Sequence, residues 1–336
     1  MNFTDYINHC KTKIRQAKPN ATDQVVDWNA PFILTPSKPS QKGILLIHGL
    51  LDSCFIMREL GKVFQERGYL VYAILLPGHG TQPEDLLSVS YQDWIKTVEF
   101  GIQALKQEVS DISIAGFSVG ATLALHYAGS HPTEAIKKIY CFSPACQIKS
   151  KFVLLTGLAS WLGKFISGSK FLKKFEEDDS VKYHSMAFNA AWQVYKLTQK
   201  IKHLKLSTPL FFASSEQDET VSFEGALSFF KKQMNPNNLM LVFSNRDYPA
   251  EKNIIPIRSD FPEKRILCFS HHSITCSAEN PYYGEYGEYT LQNQTHSKAD
   301  YYGNVIMAKK RKDGKLIARL LYNPAFLVLI EKMFID

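Results

Sequence analysis

A serine with a glycine two residues to either side, Gly116-Phe117-Ser118-Val119-Gly120, is the first place in this 336-residue chain where residue type and spacing point to chemistry. A serine hydroxyl attacks a carbonyl only when an imidazole takes its proton, and that imidazole needs a carboxylate to fix its tautomer. Candidates for both follow Ser118 in the chain. Asp218 stands just past the apolar run Leu210-Phe-Phe-Ala; its neighbours Glu216 and Glu219 are alternative carboxylates that read rather as solvated. His271 and His272 end the run Arg265-Ile-Leu-Cys-Phe-Ser. His271 is preferred as base because it follows an expected strand directly, and His272 is the alternative one register away. Upstream, His48-Gly49-Leu50 closes another apolar run. A developing oxyanion needs two converging N–H donors, and the backbones of Leu50 and Val119 are the candidates. His48 reads as packing beneath that loop rather than as a base. The chemistry is acyl transfer.

Side chains so far apart in sequence need a rigid frame. Residues 44–47, 71–75, 112–115, 138–142 and 210–213 are short apolar runs bounded by turn residues, the pattern of strands covered on both faces. Segments of helical period fall between them at 55–67, 91–106 and 122–129. Strand and helix in alternation predict a doubly wound, mostly parallel α/β sheet, whose ligands sit at the carboxyl ends of the strands. Ser118 then occupies a strand–turn–helix bend, where the glycines give the room that a strained serine requires. The alternation lapses over 145–207, which is helical in pattern at 152–165 and 187–201 and is expected to form a cap, inserted after the sixth strand. The core is expected over 1–144 and 208–336, with irregular insertions at 245–262 and at 277–322, where tyrosines are frequent, and a closing helix near 324–335.

Composition narrows the function classes. Thirty-nine Lys and Arg against thirty-two Asp and Glu give a net charge of +7, too dispersed to mark a nucleic-acid binder, and the cluster Lys309-Lys310-Arg311-Lys312 beside Asp313-Gly314 reads as a solvated loop. The most apolar stretch without a charge, 152–163, has twelve residues against the ~18 that a bilayer requires. The N-terminus lacks the pattern of a secretory signal, and six cysteines without a framework spacing suit buried thiols in a reducing compartment, so a cytoplasmic enzyme is expected. Cys268, His271, His272 and Cys276 contain four potential zinc ligands, but alternation along a strand sends neighbouring side chains to opposite faces. No metal or organic cofactor is expected.

The chain resembles the α/β-hydrolase serine esterases, in particular the bacterial carboxylesterase and monoacylglycerol lipase group. The likeness rests on Leu46-Ile-His-Gly-Leu50, on Leu76-Pro-Gly-His79-Gly80-Thr followed by Pro83-Glu84-Asp85-Leu86, on Tyr91-Gln-Asp-Trp94, and on Gly116-Phe-Ser-Val-Gly120. It covers about residues 30–145, then resumes around Asp218 and His271. The resemblance implies Ser118 as nucleophile, Asp218 and His271 as its partners, Leu50 and Val119 as oxyanion donors, and His79 in a structural loop. It also implies a cap lining the acyl pocket, through Phe152, Leu155 and Trp161. That apolar stripe, continued by Leu154, Leu158, Leu162 and Phe165, reads equally as cap packing or as a contact with a lipid interface. The expected substrate is a small ester of short or medium acyl chain, monoacylglycerol-like. A thioesterase, peptidase or acyltransferase on the same triad, or a binding protein on a retired hydrolase fold, are the alternatives. Fifty-three residues separate Asp218 from His271, more than one strand–helix–strand step of the family, and the extension past Ser277 is unusual for it.

Overall fold

The computed structural model describes residues 1–132, 136–148 and 170–335. In chain order the strands are β1 (Phe32–Leu34), β2 (Lys42–Ile47), β3 (Leu70–Ile74), β4 (Asp111–Phe117), β5 (Ile136–Phe142), β6 (Phe171–Lys173), β7 (Met186–Ala187), β8 (Leu210–Ser215), β9 (Leu239–Ser244), β10 (Ile254–Arg258), β11 (Tyr301–Gly303), β12 (Lys309–Lys310) and β13 (Leu316–Arg319). Eight of them form one sheet, ordered β1-β3-β2-β4-β5-β8-β9-β10. β1 runs antiparallel to β3, while β2 is parallel to β3 and β4, and β9 is parallel to β8 and β10. Every residue of β2 after Lys42 is buried, as a strand covered on both faces must be.

The register of β2 fixes what emerges at its end. Ile47 lies opposite Ile74 on one side and Gly116 on the other, so the His48-Gly49 turn and the Ser118 turn leave the sheet side by side. The principal helices are α1 (Phe3–Ala17), α2 (Asp23–Asn29), α3 (Arg58–Glu66), α4 (Tyr91–Lys106), α5 (Val119–Ser130), α6 (Phe188–Ile201), α7 (Phe223–Lys231) and a C-terminal α8 (Phe326–Met333). α4 begins at a reciprocal capping box, in which Ser90 accepts from Asp93 N–H and the Asp93 carboxylate accepts from Ser90 N–H. Further along it, buried Trp94 donates its indole N–H to Pro77 O at 3.1 Å.

Two compact units make up the chain. The first comprises Met1–Tyr140 and Ser150–Thr208, the second Cys141–Lys149 and Pro209–Asp336. In the first unit, the segment expected as a cap follows the fifth strand in chain order, not a sixth. Its described part carries an antiparallel β6–β7 ribbon and then α6, which packs on α4 and α5. Gln193 on α6 accepts from Tyr91 N–H, and Asn189 donates to Leu86 O and Val89 O. Phe152, Leu155 and Trp161, with the rest of the 152–165 stripe, lie outside the described residues.

The second unit corrects two expectations. Residues 245–262 were expected to be irregular, yet they contain β10, paired in parallel with β9; Pro256 inside it breaks the strand pattern as read from sequence. The long interval from Asp218 to His271 is therefore α7, β9 and β10, one strand more than a single step. No strand leads into His271. Ile266 makes an isolated bridge with Phe261, and His271 sits in a turn followed by the 3-10 helix Ser273–Thr275. The tyrosine-rich stretch packs mostly inward. Tyr282, Tyr283 and Tyr289 are buried and pack ring on ring at centroid distances of 4.9 to 5.6 Å, with Tyr286 alone of the four exposed.

Candidate active site

Ser118 takes φ +54° and ψ −115°, a conformation that L-residues rarely adopt and that lifts its side chain off the line of β4. The two glycines are required by contact. A Cβ on Gly116 would lie 2.3 Å from Gly120 C, and one on Gly120 would lie 2.2 Å from Ile47 O and 2.6 Å from His48 O. The bend thus closes tightly on itself and on the end of β2. Behind Ser118 the first turn of α5 points its N–H groups back toward the bend.

The neighbouring loop, residues 48–52, is built around His48. Leu76 N–H donates to His48 Nε2 at 3.0 Å, so the ring proton is on Nδ1, and Nδ1–H donates to Gly49 O at 2.8 Å. Burial holds His48 neutral by pushing its pKa down to about 4. Peptide units are planar and trans here, so fixing Gly49 O also fixes the Leu50 N–H on the same peptide. Neither Leu50 N–H nor Val119 N–H donates a hydrogen bond among the described residues, which leaves both donors available. His79 lies against His48 with ring centroids 5.0 Å apart. Its Nδ1 faces Leu76 O and Pro77 O, and burial, followed by the neighbouring His48, pushes its pKa down to about 3. Both histidines are structural.

In the second unit His271 Nδ1 lies 2.6 Å from Asp218 Oδ2, and both side chains are buried. An ionised carboxylate only accepts, so Nδ1 carries the proton and Nε2 is left with the lone pair a base needs. The other oxygen, Asp218 Oδ1, accepts from Thr220 N–H at 2.7 Å and Val221 N–H at 3.1 Å, which locks the carboxylate plane. His272 is not the partner of this aspartate; its ring stands edge-on to Tyr283 at 4.9 Å. Glu216 is engaged by Arg246 and Ser244.

Sequence reasoning missed what holds His271, because no strand supports it. Three serines do so through backbone carbonyls: Ser143 Oγ donates to His271 O at 3.1 Å, Ser215 Oγ to Phe269 O at 2.9 Å, and Ser270 Oγ to Leu320 O at 2.6 Å. Ser143 does this from φ +44°. The available signal was the serine pair that ends β8 and the serine after β5, polar residues where a buried strand would otherwise stay apolar.

Comparison with known proteins bears on this geometry. Residues 38–244 match the family described as serine aminopeptidase, S33, a span that includes Ser118 and Asp218 and ends before His271. The thermostable monoacylglycerol lipase of Bacillus sp. (strain H-257) is 40% identical over 90 residues, 27% of this chain and 36% of the lipase, so the match spans about a third of that relative's length. The carboxylesterase of Bacillus subtilis (strain 168) is 27% identical over 208 residues, 58% of this chain and 80% of the esterase. Among solved structures, one reported for the metagenome-derived lipolytic enzymes LipS and LipT superposes with a TM-score of 0.57 at 19% identity, covering 63% of this chain and 86% of that one. The monoacylglycerol lipase of Paleococcus ferrophilus gives 0.52 at 18%, covering 64% and 88%. At such identities the structures establish the α/β-hydrolase fold. With more than half of its residues inside the family match, and the bend serine and its expected aspartate among them, this chain belongs to the serine aminopeptidase S33 family of serine hydrolases.

Proposed function

We propose that the chain hydrolyses carboxylic esters through Ser118, His271 and Asp218. His271 Nε2 takes the proton of Ser118 Oγ as that oxygen bonds to the ester carbonyl carbon, and the carbonyl π electrons become an oxyanion facing the N–H groups of Leu50 and Val119. The C–O bond to the alcohol then breaks, and the alcohol leaves with the proton from His271. Water repeats the sequence on the acyl-serine, releasing the acid and restoring Ser118. Asp218 stabilises the imidazolium that forms in each half. The observation that carries the reading is the 2.6 Å Asp218–His271 contact, which puts the ring proton on Nδ1 and the lone pair on Nε2, in a chain whose bend serine follows the carboxyl end of a strand in the same sheet as β8. The names of the two Bacillus relatives favour a carboxylic ester, monoacylglycerol-like; the proposal adds a short to medium acyl chain, with residues 145–207 as the cap and Phe152, Leu155 and Trp161 against the acyl group. Among the described residues no helix is long and apolar enough to cross a membrane. Six free cysteines suit a reducing compartment, and we place the reaction in the cytoplasm.

Labelling by a fluorophosphonate probe tests the nucleophile: wild type is expected to label and Ser118→Ala not, and equal labelling of both would remove Ser118 from the reaction. Turnover of p-nitrophenyl esters is expected to vanish in His271→Ala and persist in His272→Ala. The family description favours a second reading, cleavage of an N-terminal amide, so a panel of ester, thioester and aminoacyl-anilide substrates separates the two.

A further inference from the structure

Lys182 and Asp52 form an ion pair with no part in the steps above. Lys182 Nζ lies 2.7 Å from Asp52 Oδ1, and the side chains are only 14% and 4% exposed. Burying two charges is expensive, and replacing such a pair by apolar residues is often neutral or stabilising, so stability alone does not account for it. Its position does. Asp52 closes the loop that carries Leu50 N–H, with its second oxygen folded back under Gly49, where a Cβ would lie 2.8 Å from it.

The residue next to Lys182 grips the same loop. Tyr183 N–H donates to Leu51 O at 2.8 Å, and Leu51 is held at φ +68°. The Tyr183 ring is stacked against His79, which in turn lies edge-on to His48. The lysine segment is itself tied down, since Lys18 Nζ and Asn29 Nδ2 both donate to Ser180 O. The carbonyls on either side of Leu50 are therefore fixed, that of Gly49 by His48 and that of Leu51 by Tyr183, and Asp52 is fixed by Lys182.

We propose that Lys182, acting through Asp52, is a positioning residue for the oxyanion donor: residues 182–183 clamp the loop and hold Leu50 N–H at the place where negative charge develops. The proposal rests on the hydrolase reading above. Without the clamp, substrate still binds, but the donor is misaimed in the transition state, so the loss falls on kcat.

The test uses p-nitrophenyl butyrate with wild type, Ser118→Ala, Lys182→Arg and the double variant Asp52→Asn/Lys182→Met, which leaves no unpaired buried charge and so keeps a folded protein to measure. A donor misplaced by about an ångström costs up to roughly 10²-fold, so the double variant is expected to lose about 10- to 100-fold in kcat with KM within about threefold of wild type. Lys182→Arg, which keeps the charge, is expected to retain most of kcat. The clamp is overturned by a folded double variant with wild-type kcat, by a loss confined to KM, or by a Lys182→Arg as impaired as the double variant. A wild type without turnover, or a Ser118→Ala that keeps it, overturns the hydrolase reading and the clamp with it; active wild type, inert Ser118→Ala and an unimpaired double variant overturn the clamp alone.

Discussion

Replacing Gly120 by alanine puts a methyl carbon 2.2 Å from Ile47 O, 2.6 Å from His48 O and 2.7 Å from Ile47 C. These are backbone atoms of the sheet and cannot swing aside as a side chain would. Ordinary contact begins near 3.4 Å, so the start of α5 and the end of β2 must part by about 1 Å. The two proposed oxyanion donors, Val119 N–H and Leu50 N–H, ride on those two pieces of chain. Since a misplacement of about 1 Å costs on the order of 10²-fold, kcat/KM is expected to fall about a hundredfold, equivalent to about 2.7 kcal/mol of transition-state stabilisation. Overpacking adds about 1–3 kcal/mol of lost stability. Gly129→Ala is the control. It lies on the same helix, and the three atoms nearest its added carbon are Leu204 Cδ1, Cδ2 and Cγ, at 2.6, 2.8 and 3.1 Å, on a side chain that can turn away. Ester turnover and thermal denaturation of the two variants, measured together, decide the matter. A Gly120→Ala protein with wild-type kcat/KM would refute the claim that this contact holds the donors in place.

Asp218→Asn presents an amide that cannot both accept from Thr220 and Val221 and fix the His271 tautomer, and kcat for ester hydrolysis is expected to fall about 10³- to 10⁴-fold with the fold retained; a loss below tenfold would contradict the assigned pairing. Ser143→Gly removes one hydrogen bond to His271 O and relieves a positive φ, each worth about 1 kcal/mol and opposite in sign, so the melting temperature should stay close to wild type while kcat falls several-fold; an unchanged kcat would show that the serine does not position the base. The folded state holds His48 and His79 below the ordinary histidine pKa of about 6.5, so as pH falls through 6.5 the unfolded chain takes up protons first and stability drops by about 1.4 kcal/mol per pH unit for each histidine, down to about pH 4 for His48 and about pH 3 for His79. Urea unfolding at pH 7 and pH 5 should show His79→Phe losing about 2 kcal/mol less than wild type, and parallel losses would refute the burial argument.

The parts of this molecule that sequence made legible are those where local pattern and tertiary role agree. β2, β4 and the bend at Ser118 follow from short, mostly apolar runs followed by glycine, and α4 begins and ends where expected, at Tyr91 and Lys106, because Ser90 and Asp93 spell out its cap. The chain order of serine, aspartate and histidine points to Asp218 and His271 as partners, and His271 Nδ1 lies 2.6 Å from Asp218 Oδ2. The support of His271 is not legible: local pattern predicts a strand where serine hydroxyls do the holding, since Phe269 and His271 are anchored from residues 54 and 128 positions away. β10 escaped notice because Pro256 is an unusual strand residue, and tolerable only at an edge. The Lys182–Asp52 pair leaves no trace in local pattern at all, its members standing 130 residues apart.

That proline has a further meaning for how copies of this chain meet one another. The eight-stranded sheet ends on one side in β1, three residues long and antiparallel, and on the other in β10, which carries Pro256 and closes on the exposed Arg258. A ring nitrogen offers no hydrogen to a would-be ninth strand, and three residues are too few to template anything. Both rims are thus poor seeds for ribbon-to-ribbon stacking, an advantage for a large parallel sheet that takes time to assemble while its apolar strands are still uncovered.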